Sequence, residues 1–172
     1  VNSPETLVYH KSDTVFALQI AKKSASRRFV LCEGYMDVIS MHQAGVENVV
    51  ATSGTALTQG QIRLIHRFTS NITVLYDGDA AGIKAALRGI DLLLEDGMNV
   101  KVVLLPDGED PDSFARKHNA SQFAEFIRQN ETDFIRFKTR LLLDDAGTDP
   151  IKRSALISDI IRTVAIIPDN IP

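Results

Sequence analysis

The sequence carries a single cysteine, Cys32. One thiol cannot close an intrachain disulfide or anchor a cysteine-based zinc site, and because Cys32 falls inside an apolar strand pattern it is expected to be core filler. No apolar run approaches the length of a bilayer span, and no charged-then-apolar leader opens the chain. Neither membrane nor secretion is therefore indicated, and the cytoplasm is the expected compartment. A strong excess of one charge is missing too: 19 Lys and Arg stand against 22 Asp and Glu, a formal net charge of −3. Nothing attracts nucleic acid globally, so any such binding must come from local basic patches or bound metal ions. Aromatic residues make up only 6% of the chain, and none interleaves with basic residues to form a stacking platform for single strands. What the chain does have is 44% apolar content over 172 residues, enough for one ordinary core with a helical annex. It opens on VNSPET and stops at PDNIP, which we read as a piece cut from something longer.

Apolar and β-branched runs alternate with helical periodicity. Strands are expected at residues 29–33 (FVLCE), 48–52 (NVVAT), 72–77 (ITVLYD) and 100–105, and helices at 36–44, 58–68 and 82–95. This β-α-β-α-β-α-β order predicts an α/β fold: a mostly parallel four-stranded sheet flanked by helices on both faces. TQGQ, starting at Thr58, fits a capping box, and Asp110 before Pro111 fits a helix start. After Asp112 the strands stop. Residues 121–129, 132–143 and 150–164 all carry helical spacing and predict a C-terminal helical appendage. Residues 12–24 predict a further helix ahead of the sheet.

In open parallel sheets, ligands gather at the carboxyl ends of the strands, where helix N-termini also point. The first strand ends in Glu33 of EGYMD, the third in Asp77 of YDGDAAG, and the fourth is followed by LPDGEDPD. Glu33, Asp77 and Asp79, with Asp110 and Asp112 behind them, are thus expected on one rim. Two unit charges about 4 Å apart repel by roughly 1 kcal/mol in water and about 4 kcal/mol at an intermediate dielectric, so such a cluster calls for cations. The second strand ends in TSGTALT, where Gly54 and Thr55 would let backbone approach a phosphate. Hard carboxylates without histidine or cysteine favour magnesium or manganese over zinc. Three of the acids also have a plainer role open to them: Asp79 and Asp110 can cap helices, and Asp37, four residues after Glu33, can be a solvated helix residue. Glu33 has no capping role, because it ends an apolar strand and precedes glycine.

EGYMDV, the SGTALT loop, YDGDAAG and LPDGEDPD, in this order and at these distances, closely resemble the catalytic Toprim core of bacterial replicative DNA primases. The leader NSPET with His10 and Lys11 is similar to the segment preceding that core. The resemblance is most specific from about residue 29 to residue 118. It implies a lead-in segment over residues 1–27, a Toprim catalytic domain over 28–118 and a truncated helical subdomain over 119–172.

The resemblance also implies roles. Glu33 matches the family's acid that serves as metal ligand or acid/base group, and Asp37 matches an auxiliary acid of that motif. Asp77 and Asp79 match the central metal-binding pair, with Asp110 and Asp112 as the third acidic motif. Lys11 resembles a basic residue facing nucleotide or template. The implied chemistry is RNA primer synthesis on a single-stranded DNA template from ribonucleoside triphosphates, with two or more Mg2+ or Mn2+ ions. Zinc and the replicative helicase would be engaged only through regions absent from this chain. Arg63, His66 and Arg67 share a helix face that could meet phosphates, as could Lys84, although a solvated face is the plainer alternative for each. Phe114, Phe123, Phe126, Phe134 and Phe137 are expected to pack the helical appendage. Two other functions stay open: a Toprim nuclease or topoisomerase fragment, and a non-catalytic metal-binding scaffold.

Overall fold

The computed structural model describes residues 4–52, 56–77, 80–106 and 108–168. Among these residues, five strands form one sheet: β1 (Arg28–Cys32), β2 (Val49–Ala51), β3 (Asn71–Tyr76), β4 (Asn99–Leu104) and β5 (Thr132–Asp133), in the spatial order β2-β1-β3-β4-β5. The first four are parallel, with Val30 opposite Val49, Leu31 opposite Val74 and Tyr76 opposite Leu104. Among the described residues, eight α-helices accompany them: α1 (Leu18–Ala21), α2 (Tyr35–Gln43), α3 (Gln59–His66), α4 (Ala80–Glu95), α5 (Pro111–Lys117), α6 (Ala120–Asn130), α7 (Phe134–Ala146) and α8 (Pro150–Ala165).

Period-two alternation divides the strand side chains between two cores. Phe29, Leu31, Val50, Ile72, Val74, Val100 and Val102 face one layer, where Ile62 and Ile65 of α3, Leu93 of α4 and Phe134 of α7 cover them. Val30, Cys32, Val49, Ala51, Leu75 and Val103 face the other, under Val38 and Met41 of α2, Phe114 of α5 and Phe123 of α6. Both sheet faces are dry, which is why the strands read as continuous apolar runs. Cys32 is buried, as expected of core filler.

The α/β class, the mostly parallel sheet and the terminal helices agree with expectation, but the strand count is five rather than four. Thr132 and Asp133, expected to open a helix, instead pair antiparallel with Val102 and Lys101. Parallel β4 otherwise presents an unpaired edge, and two extended residues satisfy part of it. Asp133 then caps α7, accepting from the backbone N–H of Ile135 at 3.0 Å. Phe134 is fully buried against the sheet and Phe137 packs beside it, so these two residues belong to the main core as well as to the appendage.

The expected helix over residues 12–24 is also corrected. A 3-10 turn covers Lys11–Asp13, and Phe16 forms an antiparallel bridge with Ala51, its N–H donating at 2.9 Å. Only the four-residue α1 follows. Short β2 is the other edge of the sheet, and its free backbone groups compete with helix formation for this segment. Ala17, in the left-handed region at φ 62°, makes the corner. No helix among the described residues is long and apolar enough to cross a membrane.

Candidate active site at the sheet switch point

Between β1 and β3 the strand order reverses, since the chain leaves β1 towards β2 and returns on the opposite side to form β3. Such a switch point opens a crevice beyond the carboxyl ends of the strands. Glu33 directly follows β1 and Asp77 directly follows β3, so pairing of these two strands brings the two carboxylates to the same crevice. Both residues are exposed.

Electrostatics traces their convergence. Burial pushes the Cys32 thiol well up, and the charges of Asp37, Asp77 and Glu33 push it further in the same direction. Burial likewise raises the Tyr76 phenol, with Glu33 adding to it. The Asp37 carboxyl is pushed up to about 6: burial is the main cause, and Asp77 and Asp110 contribute repulsion. Backbone N–H groups of Gly34 and Asp112 donate to the Asp37 carboxylate and partly offset that rise. Charges from three separate motifs therefore act on the same two groups, Cys32 and Asp37, although 73 positions separate Asp37 from Asp110 in sequence.

Local structure explains how each acid is held. Asp37 occupies the first turn of α2 and its Oδ2 accepts from the Gly34 N–H at 3.0 Å. Gly34 is needed there: a Cβ would stand 2.7 Å from Asp37 Oδ2. Asp110 caps α5, accepting from the Ser113 N–H at 2.7 Å, and Pro111 follows in the first turn, as its sequence signature predicted. Asp112 accepts from the Ser40 hydroxyl of α2 and from Arg116, and these bonds hold its carboxyl below the ordinary range. Ser40 escaped the sequence reading. Its only trace there is a small hydroxyl three positions after Asp37 on an otherwise apolar, core-facing side of the helix.

Asp79, Gly54 and Thr55 lie outside the described residues. Lys84 lies on α4. Lys11 sits in the 3-10 turn, half-buried, and its carbonyl accepts from the Gln61 side chain at 2.9 Å. Arg63 and Arg67 are exposed on or just past α3, while His66 Nδ1 lies 2.5 Å from Asp96 Oδ2, just past the end of α4. Because α4 ends where the chain turns back into β4, the His66–Asp96 pair marks the amino-terminal edge of the sheet, opposite the acids. Neither His42 nor His118 joins the acids: the His42 ring meets the Val49 carbonyl, and His118 stacks on Phe114 with centroids 3.9 Å apart.

Among the described residues, no group of three His, Cys, Asp or Glu side chains closes up as a metal-holding set. The donor chemistry at the crevice nevertheless fits a hard divalent ion, because the converging acids supply only carboxylate oxygens, and repulsion from Asp77 and Asp110 adds to the burial that raises Asp37.

The Toprim-like family profile matches residues 30–115, half of the chain, running from within β1 to within α5. The chain is 42% identical to a DNA primase of Clostridium acetobutylicum over 172 residues, which is 99% of this chain and 28% of that protein. A DNA primase of Staphylococcus aureus is 36% identical over 173 residues, covering 99% of this chain and 29% of the relative. The chain thus spans less than a third of the length of these curated relatives. Among solved structures, a DNA primase domain from Pseudomonas aeruginosa superposes with a TM-score of 0.87 at 34% identity, over 99% of this chain and 55% of that one. A DnaG primase catalytic domain bound to single-stranded DNA gives 0.87 at 32%, over 99% and 56%. The chain belongs to the Toprim-like family, and its likeness within that family is to the catalytic cores of bacterial DNA primases.

Proposed function

We propose that this chain is the metal-dependent nucleotidyl-transfer core of a DNA primase, a segment of a longer protein that makes short RNA primers on single-stranded DNA in the cytoplasm. The observation that carries the reading is that the charges of Asp37, Asp77 and Glu33 all act on the buried Cys32 thiol, at the crevice where β1 and β3 part. The DNA-bound relative supports a nucleic-acid template.

In this reading Glu33, Asp77 and Asp79 hold Mg2+ or Mn2+, with Asp37, Asp110 and Asp112 as auxiliary acids. Divalent ions bound there would supply charge neutralisation and an acidified 3′-hydroxyl, which attacks the α-phosphate of the next ribonucleoside triphosphate and releases pyrophosphate. The chain itself mainly positions. Asp37 ties the first turn of α2 to Gly34 and to the Asp112 backbone, and Ser40 ties the same helix to the Asp112 carboxylate. These bonds hold the first and third acidic motifs together before any cation arrives. Lys11, Gly54 and Thr55 are assigned to binding the triphosphate, and Arg63 and Lys84 to nucleic-acid phosphates. Residues 1–27, 28–118 and 119–172 serve as lead-in, catalytic domain and helical subdomain, and a helicase engages the protein outside this segment.

The test is primer synthesis by the full-length protein carrying this segment. Glu33→Gln and Asp77→Asn should each lower primer yield about a hundredfold or more while leaving the circular dichroism spectrum unchanged. Full yield from Glu33→Gln would overturn the reading. Cleavage of labelled single-stranded DNA with magnesium and no triphosphates would favour a nuclease instead. The isolated 172-residue chain should make primers far less well than the full-length protein.

A further inference from the structure

Gln61 is wholly buried, and its carboxamide does more than cap α3. The cap needs only Oε1, which accepts from the Thr58 N–H at 3.2 Å. Nε2 is turned to three backbone carbonyls, those of Lys11 at 2.9 Å, Thr14 at 3.0 Å and Thr52 at 2.9 Å. Two of these belong to the lead-in and the third to the residue that follows β2. An amide nitrogen has two hydrogens, so three acceptors share them. Two neighbours reinforce the contact. The Thr58 hydroxyl donates to the Ser12 carbonyl at 2.5 Å, and at Gly60 a Cβ would come within 2.7 Å of that same carbonyl.

Ahead of buried Val15 and the Phe16–Ala51 bridge, the turn has little hydrophobic anchorage of its own. The 3-10 turn buries none of its own side chains, and Leu7 and Val8 just before it are almost fully exposed. Where hydrophobic anchorage is absent, a buried amide with satisfied donors sets one backbone arrangement, and its loss leaves several carbonyls unpaired.

We propose that Gln61 is a positioning residue for nucleotide binding: its carboxamide locks the turn carrying Lys11 to the carboxyl end of β2, beside the strand ends that bear the acids. The proposal rests on the reading of Lys11 as a nucleotide-facing cation, and it assigns Gln61 an effect exerted through Lys11 rather than on substrate.

The test measures steady-state primer synthesis by the full-length protein with ATP varied and the other ribonucleotides saturating, for Gln61→Met, Lys11→Ala and the double variant. Methionine keeps the side-chain length but cannot donate. Gln61→Met should raise the KM for ATP about tenfold with kcat within about twofold, and Lys11→Ala should raise KM by at least as much. The double variant should be no worse than Lys11→Ala alone, because the lock has nothing left to position. Hydrogen exchange should quicken at the Asp13 and Thr14 amides in Gln61→Met. If that variant does not fold, Thr58→Val, which frees the Ser12 carbonyl and also removes the hydroxyl cap on the Gln61 N–H, should raise KM in the same direction, with Thr58→Ser restoring both bonds and KM. Additive effects of Gln61→Met and Lys11→Ala, or a fall in kcat with KM unchanged, would overturn the positioning role and leave the Lys11 reading standing. An unchanged KM in Lys11→Ala would sink both.

Discussion

The Ser40 hydroxyl of α2 donates to the Asp112 carboxylate of α5, joining residues 72 positions apart. Alongside it, the Asp112 N–H donates to the Asp37 carboxylate, so two bonds of opposite direction link the same pair of helices. The Ser40 hydroxyl holds the Asp112 carboxyl below its ordinary range, whereas burial raises the Asp37 carboxyl to about 6 and the Asp112 N–H only partly offsets that rise.

Stability without divalent ions should therefore fall as pH rises from about 4 to 6. The Asp37 carboxyl titrates near its ordinary 3.8 when unfolded and at about 6 when folded. Between those values the folded state binds more protons, so raising the pH removes stability, and the loss is complete above the folded value. After allowance for solvent screening it amounts to about 1 kcal/mol, or about 2–4 °C in Tm. Thermal melts across this range should show that slope in the wild type and not in Asp37→Asn. Millimolar magnesium should flatten it by stabilising the ionised form.

Gly34→Ala should separate catalysis from stability. Its φ of −98° suits any residue, so the backbone is not strained, but the new Cβ meets Asp37 Oδ2 and must displace it. Loss of that cap costs about 1 kcal/mol by urea denaturation. Primer synthesis should fall by an order of magnitude or more, since the auxiliary acid is turned out of the crevice.

Gly60→Ala should loosen the lead-in. The added Cβ would lie 2.1 Å from Asp13 Oδ1, which can swing aside, and 2.7 Å from the Ser12 carbonyl, which is backbone and cannot do so cheaply. Limited proteolysis should cut near residues 10–14 faster in this variant, with the sheet core left intact.

Lys138→Met should weaken the attachment of α8. Lys138 is buried, its Nζ donating to Thr163 at 2.6 Å and pairing with Asp159 at 3.1 Å, with Asp91 at 3.8 Å. Removing the cation leaves two carboxylates facing each other. Because both are more than a third exposed, the expected cost is about 2 kcal/mol, below that of a fully buried pair. Urea denaturation measures it, and primer chemistry at the crevice should be unaffected.

Periodicity and punctuation were enough to locate the parallel strands to within about a residue, because a strand buried on both faces leaves an apolar run that polar sequence cannot imitate. The caps at Thr58 and Asp110 were equally legible, since their partners lie three residues away. Segments whose conformation depends on distant backbone were not. Phe16 is extended because β2 offers an open edge, and Thr132–Asp133 is a strand because β4 does. Helical spacing in both segments is real, but the sheet edges outweigh it. His66 shows the same limit for function: its face with Arg63 and Arg67 was plain, whereas its pairing with Asp96 at the far edge of the sheet was not.

By itself, then, the sequence determined the layered α/β class and the set of acids that end its strands, for those depend on local pattern and on which residue follows each apolar run. Only the tertiary structure decided which acids share a crevice, through a strand order that sets β1 beside β3, and which uncharged groups hold them there. Ser40 and Gln61 carry no charge and no motif of their own. They matter because burial makes every unmet hydrogen bond costly, and that cost exists only once the chain has closed around them.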